Sequence, residues 1–188
     1  MYRLEELKNK IAVENYLEHY IDVAGFLEYC KQCENYGRIW ACPPYDFDPE
    51  GIWKKYKYLH LLGTKIVFDQ ATIDKELEGE MLKEYISQIF LKEKSVLFER
   101  IRELEKKYPG SIGLSAGSCH ICAICSRPSG KACLYPEEMR YSIESIGGDV
   151  QKTARELLGI ELKWSDGRLP EYFTLVNGLL TNDPNVEI

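Results

Sequence analysis

At 188 residues, with 45% hydrophobic and 29% charged side chains, the chain has the length and composition of one soluble globular domain with its own core. A net charge of −6 and the lack of any basic run argue against a nucleic-acid interface. No stretch approaches the ~18 consecutive apolar residues of a membrane span. Met1-Tyr-Arg-Leu-Glu-Glu-Leu-Lys8 reads as a charged amphipathic helix start rather than a secretory signal, so the expected location is the reducing cytoplasm.

In chain order, Arg3 to about Lys10 reads as a short helix. Asp22 is placed to cap a second helix over Val23 to about Cys33, with Val23, Phe26, Leu27 and Cys30 on one face. Gly37 and Pro43-Pro44 break the chain after it, which lets Cys42 fold back toward Cys30 and Cys33. Asp48-Pro49 starts a brief helix to Lys54. Tyr56 to Phe68 reads as a largely buried strand, with a bulge expected at Gly63.

The longest pattern follows. Leu77, Met81, Tyr85, Ile89, Phe90, Leu97, Ile101 and Leu104 keep helical phase from Glu80 to Tyr108, and Pro109-Gly110 ends the run. Ser111 to Ser115 is a short strand, and strand–helix–strand implies that it runs parallel to the first one. Helices are expected over Glu137 to Ser145 and from Asp149 to Leu158, stopped by Gly159. Ile160 to Trp164 and Tyr172 to Leu179 read as a hairpin around Ser165-Asp-Gly-Arg168. The expected fold is a single α/β domain over residues 1–188. Its mixed four- to five-stranded sheet is covered by the long helix, with cysteine loops at one end.

The chemistry lies in seven cysteines, an odd count that suits metal ligation better than a disulfide framework in a reducing compartment. Cys119, Cys122, Cys125 and Cys133 form C-x2-C-x2-C-x7-C. Three thiolates at intervals of three in a tight loop converge on one small object, and a 4Fe–4S cubane wants one thiolate per iron corner. Cys30, Cys33 and Cys42, in C-x2-C-x8-C-P-P, supply three thiolates and no fourth. They suit a second cubane with one iron open to solvent, substrate or a non-cysteine ligand, or a zinc ion with an open or histidine-completed position. The C-x2-C pairs Cys30/Cys33 and Cys122/Cys125 keep a zinc-ribbon alternative in play, as they do ligands crossing between the stretches. Arg127, Lys131 and Arg140 are placed to offset cluster charge, and His120 to donate a hydrogen bond or proton. Tyr36, Trp40 and Tyr45 bracket Cys42 as shielding aromatics, and Asp149 beside Gly147-Gly148 reads as a helix cap.

Cys30-x2-Cys33-x2-Tyr36-Gly37 running to Trp40-x-Cys42-Pro-Pro resembles one signature of a family of predicted metal-binding proteins, a domain of unknown function found largely in anaerobic bacteria and archaea. Gly117-Ser-Cys-x2-Cys-x2-Cys, then Cys133-x2-Pro-x2-Met-Arg-Tyr-Ser-Ile-Glu-Ser-x-Gly, is similar to its second. The resemblance covers nearly the whole chain and implies metal or iron–sulfur binding through these cysteines, without supplying a reaction.

The residues thus lead to an iron–sulfur protein in electron transfer, working with a redox partner protein or a small-molecule substrate. An enzyme using the three-cysteine centre as an open site is the second reading. A zinc-stabilised interaction module is the third.

Overall fold

The computed structural model describes residues 1–75 and 77–188. A four-stranded sheet has the order β1 (Tyr2–Ala12), β2 (Tyr58–Phe68), β4 (Tyr172–Thr181) and β3 (Ile112–Leu114). Both β2 and β3 pair antiparallel with β4, which lies between them, so they run parallel to each other, as the intervening helix requires. Every hydrogen-bonded neighbour is antiparallel, however, where a mixed sheet was expected. The crossover brings β3 beside β4 instead of beside β2.

Apolar residues alternate along the strands and fill both faces of the sheet. On one face Leu62, Ile66, Phe68, Phe173 and Leu175 meet Leu82, Ile89 and Leu97 of α5 (Gly79–Lys107), the long helix expected from the periodicity. On the other, Leu59, Leu61, Val176 and Leu180 pack under Tyr16 of α1 (Val13–Tyr20), Trp53 of α3 (Glu50–Trp53), Ile143, Ile146, Leu158 and Ile160. The sheet is therefore the middle layer of three.

Three expectations fail for reasons visible in the packing. Residues 3–10 are strand: Glu, Lys and Leu favour helix locally, but pairing from Tyr2↔Phe68 to Ala12↔Tyr58 outweighs that preference. The resulting edge strand carries charges that discourage further pairing. Gly63 makes no bulge, because the register runs through Leu7↔Gly63 and Gly63↔Val176. A Cβ there would stand 2.8 Å from Ile160 Cδ1 and 2.9 Å from Leu158 Cδ1, so glycine lets the 158–160 segment cross the sheet face closely. That crossing is also why residues 160–164 form no strand and no hairpin with β4. Tyr172 is tied to them by its hydroxyl, which donates to the Glu161 carbonyl at 2.6 Å.

The helix expected over 137–145 is replaced by turns ending in a 3₁₀ turn at Glu144–Ile146. The backbone there is already committed, since Ser115 N–H donates to the Tyr141 carbonyl at 2.8 Å and Ser115 bridges Ser142. The helix after Asp149 forms as α6 (Val150–Lys152) and widens into a π turn at Thr153–Leu157. Asp149 caps it, accepting from Lys152 N–H at 2.8 Å. A fourth short helix, α4 (Gln70–Ile73), follows β2.

Candidate metal centres

The edge strand β3 runs directly into the second cysteine stretch. Cys119, Cys122, Cys125 and Cys133 all line one cavity of about 320 Å³. Its other walls are mostly apolar: Ile121, Pro128, Leu134 and Met139 from the same stretch, with Ile39, Trp40 and Ala41 from the first. Burial pushes the Cys119 thiol up, opposed by the Ile121 backbone N–H, and its neighbours Cys122, Cys133 and Cys125 push it further. Burial likewise raises Cys122, helped by Cys125 and Cys133. Cys119 and Cys122 thus resist becoming thiolates by themselves. A bound cation reverses that balance, because metal-coordinated thiols are deprotonated outright.

The first stretch is delivered by α2 (Val23–Lys31), capped as expected by Asp22, which accepts from Gly25 N–H at 2.8 Å. Cys30 closes the helix, and a turn with Cys33 N–H on the Cys30 carbonyl at 3.0 Å follows. Gly37 N–H reaches back to the Pro43 carbonyl at 2.8 Å, which turns Cys42 back toward Cys30 and Cys33. Burial, then Cys33, Cys30 and Glu144, push the Cys42 thiol up to about 12, with Arg127 opposing. Cys30 is raised by burial, then by Glu144 and Cys33. Cys30 and Cys42 thus feel members of the first stretch, and Cys119 and Cys122 members of the second.

Arg127 joins the two groups. Its guanidinium donates to the carbonyls of Ile39 (2.8 Å), Cys42 and Pro44 and lies 5.1 Å over the Trp40 ring. Trp40 in turn donates from Nε1 to the Lys131 carbonyl at 3.1 Å and to Ser126 Oγ at 3.3 Å. Arg127→Ala is expected to cost roughly 1.5–3 kcal/mol, since three carbonyls lose a charged donor. Lysine should restore less than half, because a point charge cannot reproduce the fork. Urea unfolding midpoints of the two variants check both statements.

The other two cations differ. Arg140 is spent on a fork to Glu105 of α5, with Nη2–Oε2 at 2.6 Å, and the Lys131 side chain is exposed. His120 is not in the cavity wall. Its ring packs edge-on against Phe98 of α5, 5.3 Å between centroids, and burial beside Lys94 lowers its basicity. Tyr45 packs with Phe47 and Tyr141 beside the first trio, while Tyr36 is partly exposed.

Two residues not read as site residues also stand here. Lys94 of α5 donates to the Ser118 carbonyl; burial lowers its pKa, while Glu144, Cys119 and Cys42 oppose that. Its sequence signal was a lysine in phase with Phe90, Leu97 and Ile101 on an otherwise apolar stripe. Glu144 is partly buried, and burial raises its pKa against hydrogen bonds from its own backbone and Ser142, the Lys94 charge and the Gly117 backbone.

Among the described residues, no three cysteine, histidine, aspartate or glutamate side chains are gathered closely enough to hold a single ion. No described helix is long and apolar enough to cross a membrane. Neither the curated proteins nor the solved structures contain a match to the chain. The family model described as "Predicted metal-binding protein (DUF2284)" matches residues 19–180, both cysteine groups included, and the chain belongs to that family.

Proposed function

We propose that the protein is an intracellular iron–sulfur protein that transfers electrons, with a 4Fe–4S cluster on Cys119, Cys122, Cys125 and Cys133. A second metal centre sits on Cys30, Cys33 and Cys42. The observation that carries this is the cavity of about 320 Å³ bordered by four cysteines and by apolar side chains. A tetrahedral zinc site needs its sulfurs roughly 3.8 Å apart, from Zn–S bonds of about 2.3 Å. Thiols spread around a cavity suit a polynuclear group better. When bound, such a cluster supplies one-electron redox chemistry.

The chain's own residues do the rest. Trp40, Ile121 and Met139 give the cavity an apolar wall, and Gly117, at φ +63°, turns the backbone into the loop. Arg127 holds the two groups in fixed relation and places a positive charge near Cys42. A redox partner protein, or a small molecule, then exchanges electrons at the partly exposed cysteines.

The test is purification without oxygen followed by iron, acid-labile sulfide and zinc analysis. A brown protein with about four irons and four sulfides per filled centre is expected. Stoichiometric zinc without sulfide would mean that the cysteines serve a structural module instead.

A further inference from the structure

We propose that the aromatic cleft between the two cysteine stretches binds an uncharged, planar, carbonyl-bearing ring of the quinone or flavin type. This ring is the small-molecule electron partner of the 119–133 centre. That assignment rests on the function proposed above, whereas the ring site itself does not.

The cleft has a volume of about 420 Å³, within the range of roughly 300–1,000 Å³ usual for small-molecule sites. It lies where Pro44, shortly after Cys42, comes beside Ala132 and Cys133. Trp40, Cys133 and Met139 border this cleft and also border the four-cysteine cavity. The two spaces therefore share a wall that includes Cys133, and a ring in one is the neighbour of a cluster in the other.

The lining suits a flat ring. Phe47 stacks on Tyr45 with 4.8 Å between centroids, and Tyr141 stands edge-on to both at 5.8 and 5.4 Å. Trp40, the fourth aromatic, carries the Arg127 guanidinium over its ring. Aromatic partners gain energy beyond simple area burial, so such a lining favours a conjugated ring over an aliphatic chain. The lining is also held in place beforehand, which lowers the cost of binding. The Tyr45 hydroxyl donates to the Ala41 carbonyl at 2.8 Å, and Trp40 donates to the Lys131 carbonyl. Phe47 nevertheless stays 39% exposed, an apolar ring that the fold leaves partly in water.

Charge narrows the class. Asp46 lines the cleft and is exposed. Burial raises the Tyr141 hydroxyl, Asp46 and Cys133 push it further and Arg127 opposes them, in agreement with their shared place around the cleft. The Nη atoms of Arg127 are already spent on the carbonyls of Ile39, Cys42 and Pro44, so no open fork receives a phosphate or carboxylate. Among the described residues its Nε–H has no hydrogen-bond partner, which suits the carbonyl oxygen of a neutral ring. An anionic group would instead meet the Asp46 carboxylate and the thiolates of the centre. In each transfer the reduced cluster loses one electron and the ring gains it. Two transfers, with the cluster re-reduced between them by a redox partner protein and two protons taken from water, give the hydroquinone or dihydroflavin.

The cluster-loaded full chain, prepared without oxygen, is titrated calorimetrically with hydroxymethylanthraquinone and with riboflavin, which distinguish the two ring sources. At least one is expected to bind, one per chain, and to abolish the EPR signal of the pre-reduced protein. Its anionic counterpart, anthraquinone sulfonate or riboflavin phosphate, should bind at least about threefold more weakly at low salt. Phe47→Ala should weaken the neutral ring about tenfold. Asp46→Asn, an exposed change, should remove most of the difference between neutral and anionic rings. Failure of both neutral rings to bind, or undiminished affinity in Phe47→Ala, would overturn the site. Should Phe47→Ala also lose iron, Asp46→Asn decides, and an unchanged difference there overturns the site. A ring that binds and leaves the reduced signal intact would overturn the electron partner. Ring binding to a wild-type chain free of iron and sulfide would support the site and overturn the iron–sulfur function instead.

Discussion

Cys122→Ser is expected to remove the whole 119–133 centre and leave the Cys30, Cys33 and Cys42 centre loaded. Serine keeps the shape of the side chain but not its chemistry: a hydroxyl does not ionise near neutral pH, whereas the thiolate is the form that binds metal. Cys122 is one of four cysteines around a single cavity, and its electrostatic partners are Cys125 and Cys133. Cys33→Ser should do the reverse, since Cys33 acts on Cys30 and Cys42. Iron and sulfide analysis with EPR on both variants checks the partition. If either substitution lowered both centres alike, ligands would be shared across the stretches and the division into four and three would fall. Arg127 makes this a fair test. It binds the two stretches through backbone carbonyls and the Trp40 ring, so neither cysteine substitution removes the tether.

The long helix α5 and the strand β2 were legible because their apolar spacing is unbroken over many residues, and the caps at Asp22 and Asp149 because side-chain chemistry alone decides them. The turn between Cys33 and Cys42 was also legible, from Gly37 and Pro43-Pro44. What failed depends on distant partners. Residues 3–10 carry helix-forming side chains, and only the pairing with β2 makes them a strand. Residues 160–164 carry strand-like side chains, but the missing side chain at Gly63 leaves room for Leu158 and Ile160 to cross the sheet face. Glu144 stood in the sequence near the end of the helix expected over Glu137 to Ser145. Its position beside Cys30 is created by contacts between residues 21–23 and 147–148, more than 120 positions apart, which no local pattern encodes.

Those contacts make Trp53→Ala the most damaging substitution expected outside the cysteines. Trp53 is fully buried, its ring sits 5.1 Å from that of Tyr16, and its Nε1 donates to the Ile146 carbonyl at 3.0 Å. Truncation leaves a cavity and is expected to cost about 3–5 kcal/mol. That is a large share of the roughly 5–15 kcal/mol that holds a domain of this kind together. Trp53→Phe keeps most of the packing and loses the donor, so about 1–2 kcal/mol should go, the cost of leaving a buried carbonyl unpaired. Urea unfolding of the metal-free chain measures both. The loaded protein adds a second readout, because the 3₁₀ turn that ends at Ile146 leads into Gly147, whose carbonyl accepts from Asp22 N–H at the start of the Cys30-bearing helix. If that turn steadies the helix, Trp53→Phe should speed iron loss from the Cys30 centre while the Cys119 centre, held by its own loop and by Arg127, keeps its rate. Equal acceleration at both centres would mean that Trp53 acts through global stability alone.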